Sequence, residues 1–289
     1  MKQNQNSFSK QNRSTKKINL NTLRRLKRQG KKTVFVTAYD YPMARLADLA
    51  GVDLILVGDS VANTTLGYSS TISVGMDEMI HHCKAVTRAT SRAFVIGDMP
   101  YMSYQPSDEV AIKNAGRFIS EAGCDAVKCE GGKRVASRVK AMVDAGIVVM
   151  GHIGLTPQNI GQLGGYRVQG KDTEGIQVLK SDIVALQEAG CHMVLLEAMP
   201  PLAGKVLTEA VDMPVYGIGA GPFVDGQLLI LHDIIGLQDP GILRKPSFVK
   251  RYSDVGSIIL DSIKTYSDEV RTGVFPSEEY CYKGYYQKV

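Results

Sequence analysis

The sequence predicts a (β/α)8 barrel, the α/β fold in which eight parallel strands close on themselves. Three observations carry that expectation. From Val34 onward, eight short apolar runs alternate with longer amphipathic segments. The runs are apolar throughout, as strands buried on both faces require. Four helical segments end in Gly just before the next run, at Gly51, Gly123, Gly146 and Gly190, where a left-handed cap is expected. No Pro/Gly/Ser-rich linker interrupts the pattern. It therefore reads as one domain, residues 18–289, behind a basic extension, residues 1–17. A doubly wound open sheet is the alternative arrangement of the same units.

The elements follow in chain order. Leu20, Leu23 and Leu26 recur at helical spacing with bases between them, and Gly30 follows. Residues 19–29 are thus expected to form a short amphipathic helix. Strands are expected at 34–38, 54–59, 94–98, 126–130, 148–152, 193–197, 215–218 and 228–231. Helices are expected at 41–50, 76–89, 108–122, 133–145 and 174–189, with a further C-terminal helix over 248–271. Two connections, 60–75 and 153–173, are too long to be simple turns. Both follow a strand, on the face where barrels of this type keep their chemistry.

Composition narrows the function. The chain has 289 residues, 34 Lys+Arg and 29 Asp+Glu, a net charge of +5. Residues 1–32 hold eleven of the bases and no acid, which leaves 23 bases against 29 acids in the remainder. The extension reads as a disordered tail; a transit peptide and a nucleic-acid-binding arm are the alternatives. No run of about 18 apolar residues exists, so no membrane helix is expected. The five cysteines are scattered without a CxxC pair, which argues against a disulfide framework or structural zinc and for a cytoplasmic protein.

The chemistry is expected at the strand ends. Successive apolar runs end in Asp59-Ser60, Asp98, Glu130, His152 and Glu197. A barrel gathers these ends around one mouth, where four carboxylates would repel one another unless a cation intervened. Oxygen donors without Cys or paired His favour Mg²⁺. Asp59, Asp98 and Glu130 are the expected ligands, the last by direct contact or through water. Side chains two apart on a strand share a face. Lys128 therefore points the same way as Glu130 and would meet substrate oxygen or the ligand carboxylates, while Cys129 faces the helices. Glu197, facing the metal across the mouth, is the expected general base. His152 is left open between hydrogen-bonding substrate, serving as an acid, and a structural role. His81, His82, His192 and His232 receive no role. The glycine run 217–221 lacks the spacing of a nucleotide-binding fingerprint.

At these residues the sequence resembles a known family. Thr37-Ala38-Tyr39-Asp40, Val57-Gly58-Asp59-Ser60, Asp77-Glu78-Met79, Gly97-Asp98-Met99-Pro100 and Lys128-Cys129-Glu130-Gly131-Gly132 are joined by Gly151-His152-Ile153-Gly154-Leu155-Thr156-Pro157-Gln158, Leu163-Gly164-Gly165-Tyr166 and the run 217–222. Together, over about residues 18–280, they resemble the ketopantoate hydroxymethyltransferase family. The resemblance implies a barrel of the phosphoenolpyruvate mutase/isocitrate lyase-like type. It implies transfer of a hydroxymethyl group from 5,10-methylenetetrahydrofolate to 3-methyl-2-oxobutanoate, the first step of pantothenate and coenzyme A synthesis. It also implies Mg²⁺ on Asp59, Asp98 and Glu130, the keto acid on Asp59, Ser60, Asp98 and Lys128, and Glu197 as base. A homo-oligomer, typically a decamer, is implied, with no nucleic-acid or membrane partner. The loop departs from the usual pattern at Asn63, Thr64 and Ser69. The rival reading is a magnesium-dependent C–C or C–P bond lyase or mutase acting on a 2-oxo acid on the same barrel.

Overall fold

The computed structural model describes residues 16–237 and 246–283 of the chain. Residues 1–15 of the expected disordered extension lie outside the described residues. At its end, Lys17 is engaged: its Nζ donates to the Ala93 carbonyl at 2.7 Å and pairs with Asp125 at 2.6 Å.

Eight parallel strands close in sequence order, β1 Thr33–Thr37, β2 Leu54–Val57, β3 Phe94–Asp98, β4 Ala126–Glu130, β5 Val149–Gly154, β6 Met193–Glu197, β7 Val215–Ile218 and β8 Gly226–Leu229. Pairing of β8 with β1, Thr33 opposite Gly226, completes the circle and excludes the open sheet. The helices are α1 Leu20–Arg28, α2 Tyr41–Ala50, α3 Val61–Thr64, α4 Met76–Ala89, α5 Asp108–Ser120, α6 Ala136–Asp144, α7 Ile160–Leu163, α8 Thr173–Glu188, α9 Pro201–Glu209, α10 Leu231–Ile235 and α11 Val255–Thr272. Gly51, Gly123, Gly146 and Gly190 all adopt positive φ, between 72° and 87°, as the cap reading requires.

Of the boundaries that differ from expectation, three have clear local reasons. Residues 133–135 form a 3-10 turn before α6 because the Lys133 amide is drawn onto Asp182 Oδ1 at 2.8 Å. β8 begins at Gly226, two residues early, because its pairing partners are Thr33 and Tyr216 rather than the apolar run itself. α11 begins at Val255, where the Ser257 hydroxyl donates to Asp254 at 2.8 Å. The segment before it starts with a turn in which the Val249 amide donates to the Pro246 carbonyl.

The chain divides into two compact units, Met1–Leu231 and His232–Val289. The first holds the whole barrel. Its interior is filled by Phe35, Leu54, Leu56, Phe94, Ile96, Ala126, Met150, Met193, Leu195, Tyr216, Ile218 and Leu228. These are alternate residues of each strand, as a period of two demands. The same parity, carried upward, gives Asp98, Lys128, Glu130, His152 and Glu197. The barrel is thus apolar in its lower layers and charged at the C-terminal mouth. The opposite parity meets the helices, and Cys129 is fully buried there. Burial pushes its thiol up, which fits inert core. In the second unit, α11 keeps Ile258, Leu260 and Ile263 exposed.

Candidate active site

Strand register brings the charged residues together in pairs. Asp98 on β3 stands opposite Lys128 on β4, and Glu130 on β4 opposite His152 on β5. Neighbours in register share a face, so their side chains meet. Lys128 Nζ lies 2.8 Å from Asp98 Oδ1 and 3.7 Å from Glu130 Oε1. His152 Nδ1 lies 3.4 Å from Glu130 Oε1, and its Nε2 lies 3.1 Å from Glu197 Oε2. A continuous chain of charge thus runs from Asp98 to Glu197 across four adjacent strands. All its members are buried except Glu197, whose side chain keeps 18% of its surface open.

Asp59 and Ser60 join from the turn after β2. The Asp59 amide donates to Asp98 Oδ2 at 2.9 Å, which ties the turn to the next strand. The Ser60 hydroxyl lies 2.8 Å from that of Tyr39. His82 braces this side, with Nδ1 2.7 Å from the Tyr39 carbonyl oxygen.

Electrostatics follow from this geometry. Burial, with the charges of Asp98 and Glu130, pushes the Asp59 carboxyl well above the usual range. Burial also raises Asp98, against the pull of Lys128 and with the push of Glu130. Burial would raise Glu130 too, but the His152 hydrogen bond and Lys128 hold it below its ordinary value. Burial opposes the charge on Lys128, yet Asp98, Glu130 and Asp59 hold its pKa above normal. For His152, burial and Lys128 favour the neutral ring, but the hydrogen bonds of Glu130 and Glu197 win and raise it to about 9.

The sequence reading left His152 undecided and missed two groups entirely. Gln158, on the 3-10 turn Pro157–Asn159, is a hub. Its amide N–H donates to Glu130 Oε2 at 3.0 Å, and its Nε2 donates to Asp59 Oδ2 at 3.1 Å and to the Met99 carbonyl at 3.0 Å. The Tyr104 hydroxyl donates to Gln158 Oε1 at 2.8 Å and accepts from the Glu130 amide at 3.0 Å. The Gln158 side chain orients the Asp59 carboxylate, its backbone amide orients that of Glu130, and Tyr104 holds the Gln158 side chain and the Glu130 backbone in place. Both stand on loops, where no period marks them, although Gln158 closes one of the motifs quoted above.

The backbone after Glu197 is held against its own preference. Ala198 has φ 50°, a left-handed conformation uncommon for a residue with a side chain. Three hydrogen bonds hold the turn: Ala198 N to Ile218 O at 3.0 Å, Met199 N to Gly219 O at 3.1 Å and Gln169 N to Ala198 O at 2.9 Å. The glycine run after β7 therefore braces the strand end that carries Glu197. On the other side, Gly154 pairs with Glu197. Its φ is 95°, and a Cβ there would lie 2.3 Å from the Glu197 carbonyl oxygen, so only glycine fits.

The donor set suits a hard divalent cation by its chemistry. Asp59, Asp98, Glu130 and Glu197 outnumber Lys128 and His152, and the carboxyls of Asp59 and Asp98 are raised first by burial and then by their carboxylate neighbours. Asp98 Oδ2, Asp59 Oδ2 and Glu130 Oε2 accept from protein donors, while Asp98 Oδ1 and Glu130 Oε1 are buried without a hydrogen-bond partner among the described residues. Among the described residues no three His, Cys, Asp or Glu side chains stand ready-arranged around an ion. Asp98 is turned onto Lys128 and the Asp59 amide, and Asp59 onto Gln158.

Residues 17–278 match the ketopantoate hydroxymethyltransferase family. The 3-methyl-2-oxobutanoate hydroxymethyltransferase of Thermoanaerobacter sp. (strain X514) is 49% identical over 266 residues, covering 92% of this chain and 96% of that one. The chain belongs to the ketopantoate hydroxymethyltransferase family. Solved structures agree on the fold. A 2,3-dimethylmalate lyase, a member of the PEP mutase/isocitrate lyase superfamily, superposes with a TM-score of 0.59 at 15% identity over 91% of both chains. Phosphonopyruvate hydrolase in complex with oxalate and Mg²⁺ superposes with a TM-score of 0.60 at 13% identity over 92% of both. A chain of this family on a closed eight-stranded barrel is what the quoted motifs led us to expect.

Proposed function

We propose that this chain transfers the one-carbon unit of 5,10-methylenetetrahydrofolate to 3-methyl-2-oxobutanoate, giving 2-dehydropantoate, the first step of pantothenate and coenzyme A synthesis. One observation carries the reading. In a chain about half identical to enzymes of that name, the least buried carboxylate of the charged mouth, Glu197, lies 3.1 Å from His152 Nε2. The remainder of the mouth supplies the oxygen donors for a cation that would hold the keto acid beside it.

Asp59, Asp98 and Glu130 are the residues that would hold Mg²⁺. When bound, the ion supplies positive charge opposite the keto oxygen as negative charge develops there. Asp59, Ser60, Asp98 and Lys128 bind the keto acid; Lys128 contributes an ammonium held charged by its neighbours, and Ser60 a hydroxyl positioned by Tyr39. Glu197 takes the proton from C3. His152 Nε2 lies against Glu197 Oε2, which leaves Oε1 for the proton. The C3 electron pair forms the new bond to the methylene carbon as one of its two C–N bonds breaks; water then displaces the second nitrogen and supplies the hydroxyl, and tetrahydrofolate leaves with the proton taken from C3 on one nitrogen and the proton given up by water on the other. Preorganised charge at the mouth serves the charged state more than the neutral ketone, which is the differential binding catalysis needs.

A homo-oligomer, a decamer as in the family resemblance, and a cytoplasmic setting complete the proposal. No helix among the described residues is long and apolar enough to cross a membrane. Cys83, Cys124, Cys129 and Cys191 are free and buried, which suits a reducing compartment. The lyase or mutase alternative gains no support, because its solved representatives share the fold at 13–15% identity only. Incubation of the purified protein with both substrates and Mg²⁺ tests the proposal. It should form 2-dehydropantoate, and formation should stop when the metal is chelated. Absence of product with all components present would refute it.

A further inference from the structure

Glu197 is the member of the charged chain that keeps open surface. The loop that passes it, between β5 and α8, is tied to the mouth at both ends. At its start, Gln158 donates to Asp59 and Glu130. At its end, the Gln169 amide donates at 2.9 Å to the carbonyl of Ala198, the residue after Glu197. Between these ties the loop is loosely packed. α7 buries none of its residues. Gly164 and Gly165 hold φ at 65° and 112°, and a Cβ on Gly165 would meet nothing within 4 Å. On the outside, Arg134 Nη1 donates to Gln162 Oε1 at 2.8 Å, with both groups exposed. A segment with so few buried contacts opens and closes at little cost.

One residue of this segment reaches inward. Tyr166 stands three residues before Gln169, so its backbone lies within about 10 Å of that tie. Its hydroxyl senses the mouth: burial, then the charges of Glu197, Asp59 and Glu130, raise its pKa. These carboxylates stand at the ends of β6, β2 and β4, so a group close to all three lies over the opening. Yet Tyr166 as a whole is 69% exposed. A large aromatic ring thus stands uncovered beside the open carboxylate. The keto acid of the proposed reaction supplies a reason. Its carboxylate and keto oxygens suit the charged residues below. Its C3 carries two methyl groups, which favour apolar cover, and C3 must stand beside Glu197. Between loss of its proton and arrival of the one-carbon unit, C3 holds an electron pair that water would reprotonate.

We propose that Tyr166 is a substrate-contacting residue of this site: its ring closes over C3 and the methyl groups of the bound keto acid and keeps water from Glu197. The inference rests on the one-carbon transfer proposed above. Gly164 and Gly165, directly before it, are the hinge. With the ring closed, the proton on Glu197 stays out of exchange with solvent, and C3 is left to react with the methylene carbon. With the ring open, a solvent proton replaces it and returns to C3.

The chain contains no Trp, so Tyr166→Trp places a single indole reporter in the loop. Acrylamide should quench its fluorescence readily in the free protein, and at least several-fold less with Mg²⁺ and 3-methyl-2-oxobutanoate bound, binding being followed by calorimetry on the same variant. Quenching that the bound keto acid leaves unchanged would overturn the inference, as would calorimetry showing that the wild type binds no keto acid. A second measurement runs the complete reaction in deuterated water and compares deuterium at C3 of the remaining keto acid with 2-dehydropantoate formed. Tyr166→Ala should raise that ratio at least several-fold over wild type. Tyr166→Phe, which keeps the ring, should leave it near the wild-type value. A merely structural residue would lower exchange and product together and leave their ratio in place. A wild-type ratio in Tyr166→Ala, or an equal rise in Tyr166→Phe, would overturn the role of the ring. If the keto acid shields the indole but the wild type forms no 2-dehydropantoate from both substrates, the cover stands and the one-carbon transfer reading fails.

Discussion

The two mouths of the barrel solve opposite problems with the same residue types. At the N-terminal mouth each carboxylate is matched. Asp53 accepts the Val34 amide at 3.0 Å and pairs with Arg92 at 2.7 Å. Asp125 accepts the Val95 amide at 2.7 Å and pairs with Lys17, and Asp225 accepts the Val215 amide at 2.8 Å and pairs with Lys27 at 3.0 Å. Asp48 takes the amides of Ser91, Arg92 and Ala93. These acids cap strand starts and close loops. At the C-terminal mouth four carboxylates share one lysine and one histidine, deep in the barrel. The contrast teaches that charge here is read by its pairing. Matched acids hold the fold, and the unmatched set is kept for a ligand.

Breaking the pairing at each mouth should have very different consequences. Lys128→Met strips the only lysine from Asp98 and Glu130 and leaves buried charge without a partner. We expect a loss of about 3–5 kcal/mol in denaturant unfolding and no measurable product. Gln158→Ala should leave the fold largely intact but release the Asp59 carboxylate from its orientation, the backbone amide to Glu130 remaining. Divalent-ion affinity, read by Mn²⁺ titration with electron paramagnetic resonance, should fall about 10–100-fold.

The bottom of the barrel gives smaller effects. Asp48→Asn should cost about 1–3 kcal/mol at pH 7, since three backbone amides lose a charged acceptor. Burial would raise the Asp48 carboxyl, but the hydrogen bonds from Ser91, Ala93 and Arg92 outweigh it and lower its pKa. A carboxyl depressed on folding contributes stability that is fully present above its unfolded pKa of about 3.9 and is lost as pH falls through the folded value. The gap between wild type and Asp48→Asn should therefore narrow below about pH 4 in unfolding measurements. Lys17→Ala removes a part-exposed partner from Asp125 and should cost about 1 kcal/mol or less.

Much of this contrast was legible before the structure. Fully apolar runs ending in Asp98, Glu130 and Glu197 put a period of two on the page, and that period alone placed Lys128 inside and Cys129 outside. His152 could not be decided the same way. Its role depends on two partners, Glu130 across one strand and Glu197 across the other, and register is a property of the closed sheet. Gln158 and Tyr104 lie on irregular backbone, where side-chain direction has no period to read. The split of the 133–145 segment came from a contact with Asp182, nearly fifty residues away. Local pattern carries no information of that range.

The central claim is that the unmatched mouth is a proton-abstraction site with Glu197 as its base. Exchange of the C3 proton of 3-methyl-2-oxobutanoate into deuterated water, followed by proton NMR without folate, tests it most directly. Wild type with Mg²⁺ should exchange, and Glu197→Gln should bind the keto acid yet exchange about 10²–10⁴-fold more slowly. Exchange at the wild-type rate in Glu197→Gln would contradict the account.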